Sequence, residues 1–214
     1  MKVRQVLAIA ALIIGLGSAS VAKADPMCVS QQVVAGLACS LGDLTFTFEA
    51  VSFNGANSST DSLALETPPT GTIGGVTTLG FQVLATYPVD IHLVYEVQST
   101  STNITALDSG FIPVEGNPPP PGQIAESACG SDPLLHEGTC TPLLASVTNS
   151  TGAITYTASF GPVSTVWVDK DITDNGFSSF TDSIQTSATP EPSSIALFGT
   201  GLLAAAGALR RRLA

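Results

Sequence analysis

The 214-residue chain has two histidines, His92 and His136, the two candidates for the base that a hydrolytic triad requires. His92 falls on the polar side of a strand-like segment, between Ile91 and Leu93. His136 lies near Asp132 and Glu137, a group that could titrate or hold a cation but reads first as a solvated loop tip. G-x-S-x-G, H-E-x-x-H and phosphate-binding glycine loops are absent, and no cofactor is implied. Glu49 and Glu96 sit in strand-like segments and could face one groove, the pairing that glycoside hydrolysis uses. Asp169, Asp171 and Asp174, followed by Asn175-Gly176, offer the oxygen ligands calcium takes. Their spacing is not that of D-x-D-x-D-G. Val166, Val168 and Ile172 alternate through the same stretch, which favours a strand with Asp169 and Asp171 outward and a turn at Asp174-Asn175-Gly176. Trp167, on the face opposite the alternating valines' charged neighbour Lys170, could stack on a sugar, together with tyrosines, or serve the core.

Four cysteines, Cys28, Cys39, Cys129 and Cys140, lack the paired C-x₂₋₄-C spacing of a zinc site. An even number in an exported domain reads as two disulfides. Closure entropy favours the two small loops, Cys28–Cys39 and Cys129–Cys140. Each bridge would stabilise by about 2–3 kcal/mol in the loop-closure picture.

These residues must be carried by strands. Leu44 to Ala50 alternates apolar and polar, as do the sets Phe81, Val83, Ala85, Tyr87 and Ile91, Leu93, Tyr95, Val97. Pro88-Val89-Asp90 reads as the turn between the last two. Ile154, Tyr156, Ala158 and Phe160 form another strand, split by Gly161-Pro162 from one over Val163 to Ile172. A last strand runs from about Gly176 to Gln185, where Phe177, Phe180 and Ile184 break the period and suggest a bulge. Asn54 to Gly75 and Pro113 to Pro142, with Pro118 to Pro121, read as long links. No segment of the middle has sustained helical periodicity. The fold class expected is all-β, an antiparallel β-sandwich or jelly roll.

Charge separates the ends from the middle. Lys2, Arg4, Lys23 and Arg210, Arg211, Arg212 leave Lys170 as the one cation between them, while all 17 acids lie between Asp25 and Glu191. A domain carrying a side-chain charge of about −15 is a poor partner for nucleic acid or anionic lipid. The first 24 residues combine a basic start, an apolar stretch from Val6 to Gly17 and an A-x-A site, Ala22-Lys23-Ala24. That is the form of a signal peptide cut by signal peptidase after Ala24. Ile195 to Leu209 is 15 residues, roughly 22 Å of helix, short for a bilayer unless the arginines snorkel. Arginines remain on the cytoplasmic side, so this helix would hold the chain in the inner membrane transiently, with the middle outside.

Pro190-Glu191-Pro192, the short helix and Arg210–Arg212 closely resemble the PEP-CTERM sorting signal of Gram-negative bacteria. The resemblance implies recognition by exosortase, removal of the tail and delivery to the cell surface or to an exopolysaccharide (biofilm) matrix. Pro190 and Pro192 disfavour helix around them, so the tripeptide would lie extended just outside the membrane, ready for a protease. More loosely, Gly36 to Phe46 and Val168 to Ile172 resemble secreted PEP-CTERM proteins, which implies a β-sandwich ectodomain. The expected organisation is a signal peptide over 1–24, an ectodomain over 25–188 and a sorting signal over 189–214. The expected function is an exported surface or matrix protein without catalytic activity. The alternatives are a secreted carbohydrate-binding module, with a groove of Trp167 and tyrosines, and a hydrolase built on paired carboxylates. Lys170, on the face of Val168 and Ile172, is expected at a rim, paired with a nearby acid.

Overall fold

The structure is a computed structural model that describes residues 26–55, 59–66, 71–73, 75–86, 88–112, 122–150, 156–174, 176 and 179–188. The cleavage residues Ala22 and Ala24, the sorting residues Pro190, Glu191, Pro192, Arg210, Arg211 and Arg212, and the Ile195–Leu209 stretch lie outside them. Among the described residues no helix is long and apolar enough to cross a membrane.

The described strands are β1 (Ala38–Leu41), β2 (Leu44–Gly55), β3 (Ser62–Leu65), β4 (Gly71–Ile73), β5 (Val76–Leu84), β6 (Val89–Ser99), β7 (Thr102–Ile112), β8 (Gln123–Cys129), β9 (Leu143–Asn149), β10 (Tyr156–Val163), β11 (Thr165–Asp174) and β12 (Ser179–Ala188). They form two antiparallel six-stranded sheets. The first has the order β1-β2-β6-β11-β8-β9; the second has β10-β7-β12-β5-β3, with β4 also on β5. The chain is an all-β antiparallel sandwich.

Period-two alternation builds the core. Phe46 and Phe48 of β2, Ile91, Leu93, Tyr95 and Val97 of β6, and Val166, Val168 and Ile172 of β11 are all buried. From the second sheet, Leu79 and Phe81 of β5 and Phe180 and Ile184 of β12 meet them. Phe81 stacks on Phe180 with centroids 4.7 Å apart and meets the edge of Phe48 at 6.1 Å. Such contacts each contribute about 0.5–1.5 kcal/mol beyond area burial. Both disulfides take the short-loop pairing, Cys28 with Cys39 and Cys129 with Cys140. The first fixes the segment before β1, which also bridges the sheets: Val33 donates to the Leu63 carbonyl at 2.8 Å.

Several expectations are corrected. Asn54 to Gly75 contains β3 and β4, and Pro113 to Pro142 contains β8. Val89 and Asp90 open β6 instead of forming a turn. Gly161-Pro162 does not end a strand: β10 passes through it with a register shift between Ser159 and Val163. Proline is tolerated there because β10 is an edge strand. The last strand starts at Ser179, and its irregularity falls between Gln185 and Thr186.

Candidate functional site

Three places combine polar chemistry with strand positioning. The first is inside the sandwich. On β11, Lys170 occupies an inward position between Val168 and Ile172, and on β8 Glu126 does the same between Ile124 and Ala128. The two residues are paired in register, with Nζ 2.8 Å from Glu126 Oε2. From the opposite sheet, Asp182 of β12 brings Oδ2 to 3.1 Å from the same nitrogen. The exposures of the Lys170, Glu126 and Asp182 side chains are 0%, 0% and 1%. The expected rim position of Lys170 is therefore wrong. Its inward register is fixed by the valine and isoleucine on either side, and two carboxyls at that depth provide the partners a buried ammonium requires. Lys170 Nζ also lies 5.4 Å from the Phe180 ring centroid.

Burial governs the protonation of this cluster. Desolvation lowers the Lys170 pKa, opposed by the Glu126 carboxylate. Desolvation raises Glu126, opposed by the charge of Lys170, and raises Asp182 well above the carboxylate range. Asp108, on the far face of β7, is also raised by burial, against hydrogen bonding from Ser183 and the Lys170 charge.

The second place is the outer face of the first sheet. A bulge in β2 at Glu49, between Phe48 and Ala50, breaks the register with β6. Burial raises the Glu49 pKa, and the charges of Asp132 and Glu96 add to this while the Trp167 N–H pulls the other way. The structure thus brings Glu49 and Glu96 near one another, beside half-buried Trp167. Asp132 reaches them from the Cys129–Cys140 loop, where it caps the short 3₁₀ turn Pro133–His136 by accepting from the Leu134 N–H at 2.8 Å. His136 and Glu137 are exposed at the tip of that loop. Tyr95 does not join Trp167 in a groove, because it is fully buried against Phe46 and Phe48.

Further along the same face, His92 Nε2 lies 2.8 Å from Asp169 Oδ1. That hydrogen bond raises the His92 pKa, against desolvation. An open depression of about 300 Å³ adjoins it, lined by Ser52, Asn54, Asp90, His92, Asp171 and Thr173. The calcium set does not assemble. Asp169 is tied to His92 and Asp171 faces outward, whereas Asp174 is buried on the inner side and accepts from the Gly176 N–H at 2.7 Å. Alternation along a strand sends Asp174 to the other face.

The end of β12 at Ala188 leads straight into the remaining motif. Residues 188–212 match the PEP-CTERM protein-sorting motif. The chain carries a PEP-CTERM sorting signal, which implies processing by exosortase, export and cell-surface sorting. No curated protein matches the sequence. Three solved structures align with this chain at low similarity. TmCBM61 in complex with beta-1,4-galactotriose is 10% identical with a TM-score of 0.32, over 70% of this chain and 91% of that one. The C-terminal domain of a chitobiase from Bacteroides fragilis is 8% identical with a TM-score of 0.35, over 71% and 99%. A structure of carbohydrate-binding modules of the β-sandwich superfamily is 13% identical with a TM-score of 0.34, over 68% and 56%. Likeness at that level bears on no ligand.

Proposed function

We propose that the chain is an exported cell-surface or exopolysaccharide-matrix protein, released from transient inner-membrane anchoring when exosortase processes Pro190-Glu191-Pro192. The sandwich is the delivered cargo and acts on no substrate of its own. The observation that carries this reading is the sorting motif over 188–212, starting where β12 ends. The acidic surface and the two disulfides suit a compartment outside the cytoplasm. Mass spectrometry of the protein recovered from the cell surface tests it. The expected termini are near Asp25 and close to the Pro190-Glu191-Pro192 tripeptide, with all four cysteines oxidised. Recovery of the intact chain from the cytoplasm overturns it.

A second reading, a carbohydrate-binding module, is favoured by the grouping of Trp167 with Glu49, Glu96 and Asp132 on one sheet face. An indole beside carboxylates can stack on a sugar ring and accept its hydroxyls. Co-sedimentation with the host's exopolysaccharide tests this reading. Binding that Trp167→Ala abolishes supports it, and equal binding by the variant sinks it.

A further inference from the structure

Lys170 is the one Lys or Arg between Asp25 and Glu191, and its side chain is fully buried. An ordinary buried ion pair is stabilising only when its hydrogen bonds are well directed, since each ion loses its water. Here Glu126 is held by the charge and hydrogen bonding of Lys170, whereas the Asp182 carboxyl has only desolvation acting on it, although Nζ lies 3.1 Å from its Oδ2. The Lys170–Asp182 pair is thus poorly compensated for its desolvation. A reaction that removes both charges would remove that cost.

The geometry points to such a reaction: we propose that Lys170 Nζ condenses with the side-chain carboxyl of Asp182 to form an intramolecular amide across the two sheets, with Glu126 carrying the proton. Nζ lies 3.1 Å from Asp182 Oδ2, so the amine is held beside the carboxyl group whose Cγ it would attack. Glu126 Oε2 approaches the same nitrogen at 2.8 Å. The surrounding wall of Phe180, Phe81, Leu79, Val168 and Ile172 is buried, so the water that would reverse the condensation is excluded.

The amine of Lys170 attacks Cγ of the protonated Asp182 carboxyl, and the N–Cγ bond forms. Glu126 accepts a proton from the nitrogen and returns one to the departing Asp182 hydroxyl. The Cγ–O bond breaks and one water leaves. Starting from the ammonium and carboxylate, the balance is one amide and one water, with no oxidant or activating co-reactant. Burial favours the reactive protonation state, because it lowers the Lys170 pKa and raises those of Glu126 and Asp182. Lys170 and Asp182 belong to β11 and β12, in different sheets, so the amide ties the sheets together where no disulfide does.

The test is intact-mass spectrometry of the full chain, exported, folded and then denatured, followed by peptic digestion. The expected mass is one water below that of the disulfide-bonded sequence with the same termini. The digest should contain a branched peptide joining the segments around Lys170 and Asp182. Full sequence mass, with both residues recovered only in linear peptides, overturns the proposal. Lys170→Met should give no branched peptide. Glu126→Gln, with near-native near-ultraviolet dichroism, should link at least ~100-fold more slowly during refolding. Linkage by Glu126→Gln at the parent rate overturns its proton-carrying role. If either variant fails to fold, the branched peptide in the parent chain still decides whether the bond exists.

Discussion

Lys170 and Glu126 face each other across the β11–β8 ladder, with Nζ 2.8 Å from Oε2 and neither side chain reached by solvent. Removing the amine leaves Glu126 and Asp182 buried together without a counter-ion. Lys170→Ala should lower stability by about 3–5 kcal/mol, read from the urea midpoint. Lys170→Met refills the volume and should cost less. A loss below about 1 kcal/mol for Lys170→Ala would contradict the buried cluster.

The His92–Asp169 contact predicts a pH dependence. The folded His92 pKa is raised by the Asp169 hydrogen bond, against desolvation. Its contribution to stability is therefore complete below the unfolded imidazole value and lost as pH rises through the higher folded one. Titration of the His92 ring resonances by NMR should give a value above that of a free imidazole, and Asp169→Asn should lower it. An unchanged His92 titration in Asp169→Asn counts against the pairing.

Asp43 ties two turns together at one end of the sandwich. Its Oδ2 accepts from Ser99 Oγ at 3.1 Å, from Ser101 Oγ at 3.0 Å and from Thr102 Oγ1. Burial pushes its pKa up, but the three hydroxyls together hold it below the ordinary carboxylate value. The stability it supplies is present above the unfolded pKa and lost as pH falls through the folded one. Asp43→Ala should cost about 1–3 kcal/mol in chemical denaturation near neutral pH, with a smaller loss in acid. A cost that does not change with pH would contradict this account.

The Cys129–Cys140 bridge closes the loop that delivers Asp132 to Glu49 and Trp167. Replacing both cysteines by serine should lower stability by about 2–3 kcal/mol and speed proteolysis within residues 131–139. In the same variant the Glu49 pKa should fall, because the Asp132 charge would no longer be held beside it. Carboxyl titration by NMR measures this, and an unmoved Glu49 would show that the loop keeps its place without the bridge.

The alternation of Leu44 to Ala50, of Ile91 to Val97 and of Val166 to Ile172 was enough to place β2, β6 and β11 and the faces they bury. The disulfide pairing also followed from spacing. The charged core was illegible for a specific reason. Glu126 sits between Ile124 and Ala128, and Asp182 between Phe180 and Ile184, so an acid interrupts each apolar run at an inward position. The interruption made β8 read as loop and β12 as irregular, and so hid the partners of Lys170. Lys170 shares the face of Val168 and Ile172, but a sole cation among so many acids reads as a rim residue paired with one of them. Asp132 could not be joined to Glu49, because their meeting depends on a β2 bulge and a disulfide loop far apart in the chain.

β12 lies between β7 and β5, in the middle of its sheet, and is the last described element before the sorting motif. A tether on the sorting motif would therefore act on the described sandwich through an interior strand. Force applied there runs along β12 and strains the ladders on both of its sides at once, in shear, instead of unzipping an edge one bond at a time.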